Sequence, residues 1–124
     1  MPWYAAHTIV TTRPRKPHKG EIGGYENVIL IEAEDGDEAE RKARKYSQES
    51  IIDDPSLTVD GEPAVDSFVG IRKIIAVSNP WPLDQDGDRP VDGTEITYSK
   101  FAVKDECTLT KLASGEKVMI RYLE

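Results

Sequence analysis

The sequence predicts an α+β fold: a mostly antiparallel sheet of about five strands, with one principal helix at residues 36–49 packed on one face. Three observations carry this expectation. Segments rich in β-branched and aromatic residues recur along the chain between Pro- and Gly-containing breaks. A single strongly signalled helix falls between the second and third of them. The strands otherwise follow one another through loops, which favours antiparallel pairing over regularly alternating strand and helix.

Residues 3–12 (WYAAHTIVTT) read as the first strand, with Trp3, Ala5, His7 and Ile9 on one face and Tyr4, Ala6, Thr8 and Val10 on the other. Residues 13–24 (RPRKPHKGEIGG) break it with prolines, glycines and a basic cluster, and are expected to form a long exposed loop. The second strand covers about residues 25–33. Its centre, Val28-Ile29-Leu30-Ile31, is continuously apolar, the pattern of an interior strand covered on both faces.

The helix follows. Asp35 with Glu38 three residues later has the spacing of a capping box, and the acids of the first turn suit the helix dipole. Glu38–Lys42 and Glu40–Arg44 are favourably ordered i,i+4 pairs. The apolar stripe is Ala39, Ala43 and Tyr46, so narrow and small that the helix should lie close on the sheet.

Residues 50–66 read as a loop holding at most a short strand or turn. A third strand covers about residues 67–78 and is ended by Asn79-Pro80-Trp81-Pro82, because proline cannot donate to a ladder. An acidic loop at 83–93 leads into a fourth strand at about 94–103. Leu109, Leu112 and Ala113 share helical spacing, with Gly115 placed as a C′ residue, so a short helix is expected, a hairpin arm being the alternative. Residues 117–123 form the last predicted strand.

A chain of 124 residues fits one domain, taken as 1–124, and its 38% hydrophobic and 31% charged content supports a core without cross-links. Cys107 is the sole cysteine, so no intramolecular disulfide can form. The sequence carries neither a signal-peptide pattern nor an apolar run of about 18 residues, and a cytoplasmic, non-membrane protein is expected. The net charge of −7 argues against general nucleic-acid binding, which relies on Lys and Arg against phosphates. The charge is unevenly spread. Residues 1–20 carry Arg13, Arg15, Lys16 and Lys19 and no acid, whereas 32–40 and 84–95 are acidic.

Trp3-Tyr4-Ala5-Ala6, Tyr25-Glu26-Asn27 running into Val28–Ala33, Glu38-Ala39, Phe68-Val69-Gly70 and Asp92-Gly93-Thr94-Glu95 together form a pattern. In their order and spacing over residues 3–101 they resemble the bacterial family known as domain of unknown function 4288. The resemblance implies a bacterial source and a small stand-alone protein, and brings no catalytic residues with it. The basic loop at 13–24 looks like an enlargement of the family's first connection.

The sharpest chemical pattern is residues 84–95. Asp84, Asp86, Asp88, Pro90 through its carbonyl, Asp92 and Glu95 occupy the oxygen-ligand positions of a calcium loop of the EF-hand type. Arg89 stands where that loop needs glycine, and the flanks are not two helices; the competing reading is a solvated acidic hairpin loop. The basic loop, through Arg13, Arg15, Lys16 and Lys19, can meet phosphates or an acidic partner surface, or pair with the protein's own acids. Its lack of aromatics argues against base stacking.

Nucleophilic catalysis would need Cys107 beside His7 or His18, although His7 on an apolar strand reads more simply as a hydrogen-bonded core residue. Asp53-Asp54 before Pro55 reads as a turn rather than a carboxylate pair. Glu32, Glu34 and Lys73 supply the residue types of a nuclease-like cluster without a spacing that selects them, and Gly23-Gly24 precedes a strand rather than a phosphate-binding helix. Trp3, Trp81 and Tyr98 can contribute to a partner surface or pack against strands. The expectation is a small binding protein, of accessory or immunity type, acting through a protein–protein interface. A divalent-metal domain using the 84–95 loop with Ca2+, and a hydrolase of phosphate-containing substrates, are the alternatives.

Overall fold

A computed structural model describes residues 1–17, 19–80 and 89–124. In chain order the elements are β1 (Trp3–Pro14), β2 (Gly23–Glu32), α1 (Gly36–Ser50), β3 (Thr58–Val59), β4 (Glu62–Ala76), β5 (Phe101–Ala102), α2 (Glu106–Ala113) and β6 (Arg121–Tyr122). The architecture is α+β. A four-stranded sheet in the order β2-β1-β4-β3 is antiparallel throughout, and β5 and β6 form a separate antiparallel pair.

The small residues of β1 explain its place inside the sheet. Ala5 and Ala6 are fully buried on opposite faces, and His7 and Thr8 beside them are almost so. Both faces of β1 are therefore covered, and alanine lets the covering elements approach closely. The continuous apolar run of β2 pointed to an interior strand, but β2 lies at the edge of the sheet. Ile29 and Ile31 face the helix, while Val28 (41% exposed) and Leu30 (43%) look out from the other face. An apolar run records side-chain chemistry and does not specify which strand obtains two neighbours.

α1 is built as its sequence demands. The Asp35 carboxylate accepts from the Glu38 N–H at 2.8 Å, satisfying one of the helix's free donors, and Glu38 pairs with Lys42 at 3.3 Å. Arg44 reaches Glu40 at 3.0 Å, and Lys42 Nζ also donates to the Glu32 carbonyl at 2.8 Å, tying the helix to the end of β2. Ala39 and Ala43 pack on Ala6, Ile31 and Ala33, bordered by Tyr4, Ile29, Ile71 and Ile74. The stripe continues to Ser47 rather than Tyr46, which is 49% exposed: at i, i+4, i+8 the serine falls under the helix axis.

Between α1 and β4 the chain makes a hairpin too short to signal itself. Val59 pairs with Glu62 across Asp60 (φ 50°) and Gly61 (φ 78°), the two positive angles of a type I′ turn. β4 consequently starts at Glu62, earlier than expected. Of the predicted strand at 94–103, only Phe101–Ala102 and a single bridge from Glu95 to Ser78 are β-structure; the segment between them crosses the sheet face opposite α1. The last predicted strand reduces to Arg121–Tyr122.

α2 settles the choice between helix and hairpin. Asp105 accepts from both the N–H and the hydroxyl of Thr108 at 2.7 Å. At the other end Gly115 (φ 87°) donates to the Leu112 carbonyl and Glu116 to that of Lys111, each at 3.0 Å, the paired bonds of a Schellman closure. No helix among the described residues is long and apolar enough to cross a membrane.

The alanine face of α1 sets the helix-to-sheet spacing. Ala43→Leu should therefore lower the unfolding free energy by about 1–3 kcal/mol through overpacking. Lys45→Ala on the outer face should change it by less than about 0.5 kcal/mol, both read by urea denaturation.

Candidate functional site

The most concentrated polar chemistry lies on the sheet face that α1 leaves uncovered. His7 of β1 is only 2% exposed, and both of its ring nitrogens are engaged. Nδ1 lies 2.8 Å from Glu26 Oε2, while Nε2 meets the Thr97 hydroxyl. Glu26 is the diagonal neighbour of His7 across the β1–β2 pair, within reach of a long side chain. Thr97 arrives from the segment that crosses this face.

A β-bulge supplies the cations. His7 opposes Lys73 and Thr8 opposes Ile71, so Arg72 is an extra residue in β4. Ile71 and Ile74 both turn to the helix side, which leaves the sequence neighbours Arg72 and Lys73 together on the opposite face. Arg72 grips Glu26 with two nitrogens, Nε at 2.6 Å and Nη2 at 3.0 Å. Its Nη1 lies 3.2 Å from Glu124, and its guanidinium sits 4.2 Å from the centre of the Tyr122 ring. Lys73 bonds to the Glu124 carboxylate and the Tyr98 carbonyl, with its ammonium 5.2 Å from the centre of the Tyr98 ring.

These contacts fix the charges. Hydrogen bonds from Arg72 hold the Glu26 carboxyl below the ordinary range, opposed by desolvation and assisted by His7. The Lys73 hydrogen bond is the main reason that Glu124 is pulled down to about 2. Glu26, His7 and Thr97 have the order of a carboxylate–imidazole–hydroxyl relay. A relay needs room for substrate at the hydroxyl, and five cavities of about 350–600 Å³ among the described residues are all lined by other residues. The Glu26 charge is moreover already met by Arg72. The arrangement serves as a clamp, closing the C-terminal segment onto the sheet.

The basic loop is partly spent on the protein itself. Arg15 pairs with Asp53 at 2.6 Å and donates its backbone N–H to Pro63, and Arg13 Nε lies 3.3 Å from Thr11 Oγ1. Arg13, Arg15 and Lys16 line a cavity of about 350 Å³ with Ile22, while Lys19 is exposed. His18 lies outside the described residues, as do Trp81 and the leading aspartates of the calcium-type loop, Asp84, Asp86 and Asp88.

Of the remaining loop positions, Asp92 is exposed in a turn closed by Thr94 N–H to the Val91 carbonyl, and Glu95 pairs with Ser78 through its main chain. Thr94 also donates to the side chain of Asn79 at 2.5 Å, fastening residues 91–95 to the end of β4. Among the described residues no three His, Cys, Asp or Glu side chains are grouped to hold a metal ion.

The other candidates resolve individually. Cys107 is exposed on α2, and the His7 nitrogens are occupied by Glu26 and Thr97, so the structure does not join that cysteine and histidine. Asp54 accepts from the Ser56 N–H and hydroxyl, the turn its sequence implied. Lys73 is held by Glu124 rather than grouped with Glu32 or Glu34. The Trp3 indole N–H is buried without a hydrogen-bond partner among the described residues.

One site carries no sequence signal. A cleft of about 600 Å³ runs between α2 and residues 117–121, lined by Val103, Lys104, Lys111, Lys117, Ile120 and Arg121 among others, with no acidic residue in its walls. None of its four cations is in an ion pair among the described residues. Three of the acids near in sequence are engaged locally: Asp105 caps α2, Glu116 accepts from Ser114 at 3.2 Å, and Glu124 belongs to the clamp. Glu106 is exposed in the first turn of α2 and does not line the cleft. The four cations come from three segments and form no motif in the chain. No protein-family model, curated protein or solved structure matches the chain.

The clamp makes stability sensitive to acid. Glu124 has a depressed folded value of about 2 against an ordinary 4.5, so its contribution is complete above about 4.5 and disappears as pH falls toward 2. Melting temperature should fall through that window. Glu124→Gln should melt lower at neutral pH and lose less on acidification; identical pH dependence in the two proteins would remove Glu124 from the clamp.

Proposed function

We propose that the chain is a small non-catalytic binding protein of bacterial origin, of accessory or immunity type, working in the cytoplasm through a protein–protein interface formed by residues 101–124. One contrast supports this reading. The groups arranged as if for chemistry are committed to one another, with His7 buried and both its ring nitrogens engaged by Glu26 and Thr97 and the Glu26 carboxylate also held by Arg72, whereas the four cations of the cleft are unpaired among the described residues. Unspent charge beside apolar wall residues gives an oppositely charged partner both electrostatic complementarity and apolar contact.

The resemblance to domain of unknown function 4288 supplies the bacterial setting. The hydrolase alternative lacks such support, because Lys73 is committed to Glu124 and Tyr98 rather than grouped with Glu32 or Glu34.

The test uses the intact chain as bait in bacterial lysate, beside the double variant Lys111→Glu/Arg121→Glu, with turnover assayed on a panel of phosphate esters. A partner retained by the wild type and lost by the variant, without turnover by either, is the expected result. Turnover by the wild type that His7→Gln abolishes would replace the binding reading with a catalytic one.

A further inference from the structure

We infer that the cleft between α2 and residues 117–121 receives an extended acidic peptide segment of the partner, added as a strand along residues 117–120. This rests on the protein-binding reading above and specifies the partner's chemistry.

The backbone provides the first argument. β5 and β6 pair only at Phe101–Tyr122 and Ala102–Arg121. Continuing that register would set Val103 against Ile120 and Lys104 against Met119. The ladder stops instead, and all four residues line the cleft. Lys117–Ile120 makes no main-chain hydrogen bond to another main chain among the described residues. Its side chains nevertheless alternate as a strand's do, with Val118 and Ile120 half-buried and Lys117 and Met119 exposed. A strand-like segment with unused donors and acceptors is a template for strand addition by another chain.

Charge gives the second. Lys104, Lys111, Lys117 and Arg121 surround the space without an opposing acid, in a chain whose net charge is −7. The protein as a whole repels acidic ligands, so attraction must act locally, within a Debye length of roughly 8–10 Å. The third is shape. Val103, Val118 and Ile120 offer apolar contacts between the cations, and Met119, 89% exposed, is a flexible side chain able to fold over an occupant. The volume of about 600 Å³ is that of a ligand cleft and suits a few residues of extended chain. A compact polyanion would use the cations but leave the free main chain of 117–120 unmet.

The probe is a fluorescein-labelled short peptide alternating Glu and Val, titrated with the full chain and followed by anisotropy. Saturable binding is expected. It should weaken as salt is raised, fall about tenfold or more with Lys111→Glu/Arg121→Glu, and be lost when alternate peptide amides are N-methylated. The N-methyl arm needs no protein variant, and Arg41→Glu/Lys45→Glu on α1 serves as a charge control that leaves binding unchanged.

Absence of binding to the wild type overturns the inference. So does binding that ignores N-methylation and is displaced by inorganic triphosphate, which would make the cleft a site for compact polyanions. If the peptide fails while the lysate partner still depends on Lys111 and Arg121, the strand-addition inference falls and the protein-binding reading stands. If neither depends on those residues, both fall.

Discussion

The one-residue bulge at Arg72 is the constraint on which the second half of the molecule depends. In a regular strand adjacent side chains point to opposite faces. Without the bulge, Arg72 or Lys73 would be driven under α1 among Ile71, Ile74 and the alanine face, where an unpaired charge costs several kcal/mol. The extra residue places both cations on the other face, opposite His7. There they gather Glu26 from β2 and Glu124 from the end of the chain into one network with mostly buried side chains. An isolated surface pair contributes little, about 0–1 kcal/mol; a bidentate Arg–carboxylate contact inside a shared network contributes more.

The two faces of the sheet are thus held by different physics. On one, α1 lies close because Ala39 and Ala43 meet Ala6 and Ala33, and dispersion and apolar burial do the work. On the other, a strap of irregular chain is fastened at both ends, by the Glu95–Ser78 bridge and by Glu124 against Lys73. Between these fastenings the chain forms α2 and the cationic cleft. Lys104, Lys111, Lys117 and Arg121 are in no ion pair among the described residues, and of the acids near them Asp105 is occupied as a cap, Glu116 by Ser114 and Glu124 in the clamp.

The sequence was most informative where the determinants are local. The start of α1 follows from Asp35 and its first-turn acids, and the end of α2 from Gly115, since capping and left-handed closure are decided within a few residues. His7 was legible as a hydrogen-bonded core residue. Its partners were not, because Thr97 lies far away in the sequence and Glu26 becomes its neighbour only through strand register.

Non-local features were hidden for the same reason. The apolar run of β2 reads as an interior strand, yet alanine-rich β1 takes that position. The bulge leaves no composition signal, and strands of two residues fall below any periodicity. The cleft is assembled from three segments whose cations look like ordinary surface charge until α2 and residues 117–121 face each other. The calcium-type spacing at 84–95 illustrates the converse, a pattern plain in the sequence whose leading aspartates, Asp84, Asp86 and Asp88, lie outside the described residues.

The central claim, that the charged clamp holds the C-terminal segment on the sheet, is most directly tested by native-state hydrogen exchange on the wild type and on Arg72→Met/Lys73→Met. An eight-residue helix such as α2 is not stable alone. Releasing the clamp should therefore strip protection from the amides of α2 and of residues 97–102 and 121–123, while β1, β2 and the β1-paired part of β4 keep theirs. Unchanged protection of α2 in the variant would contradict the account and show that the segment is held by something other than these charges.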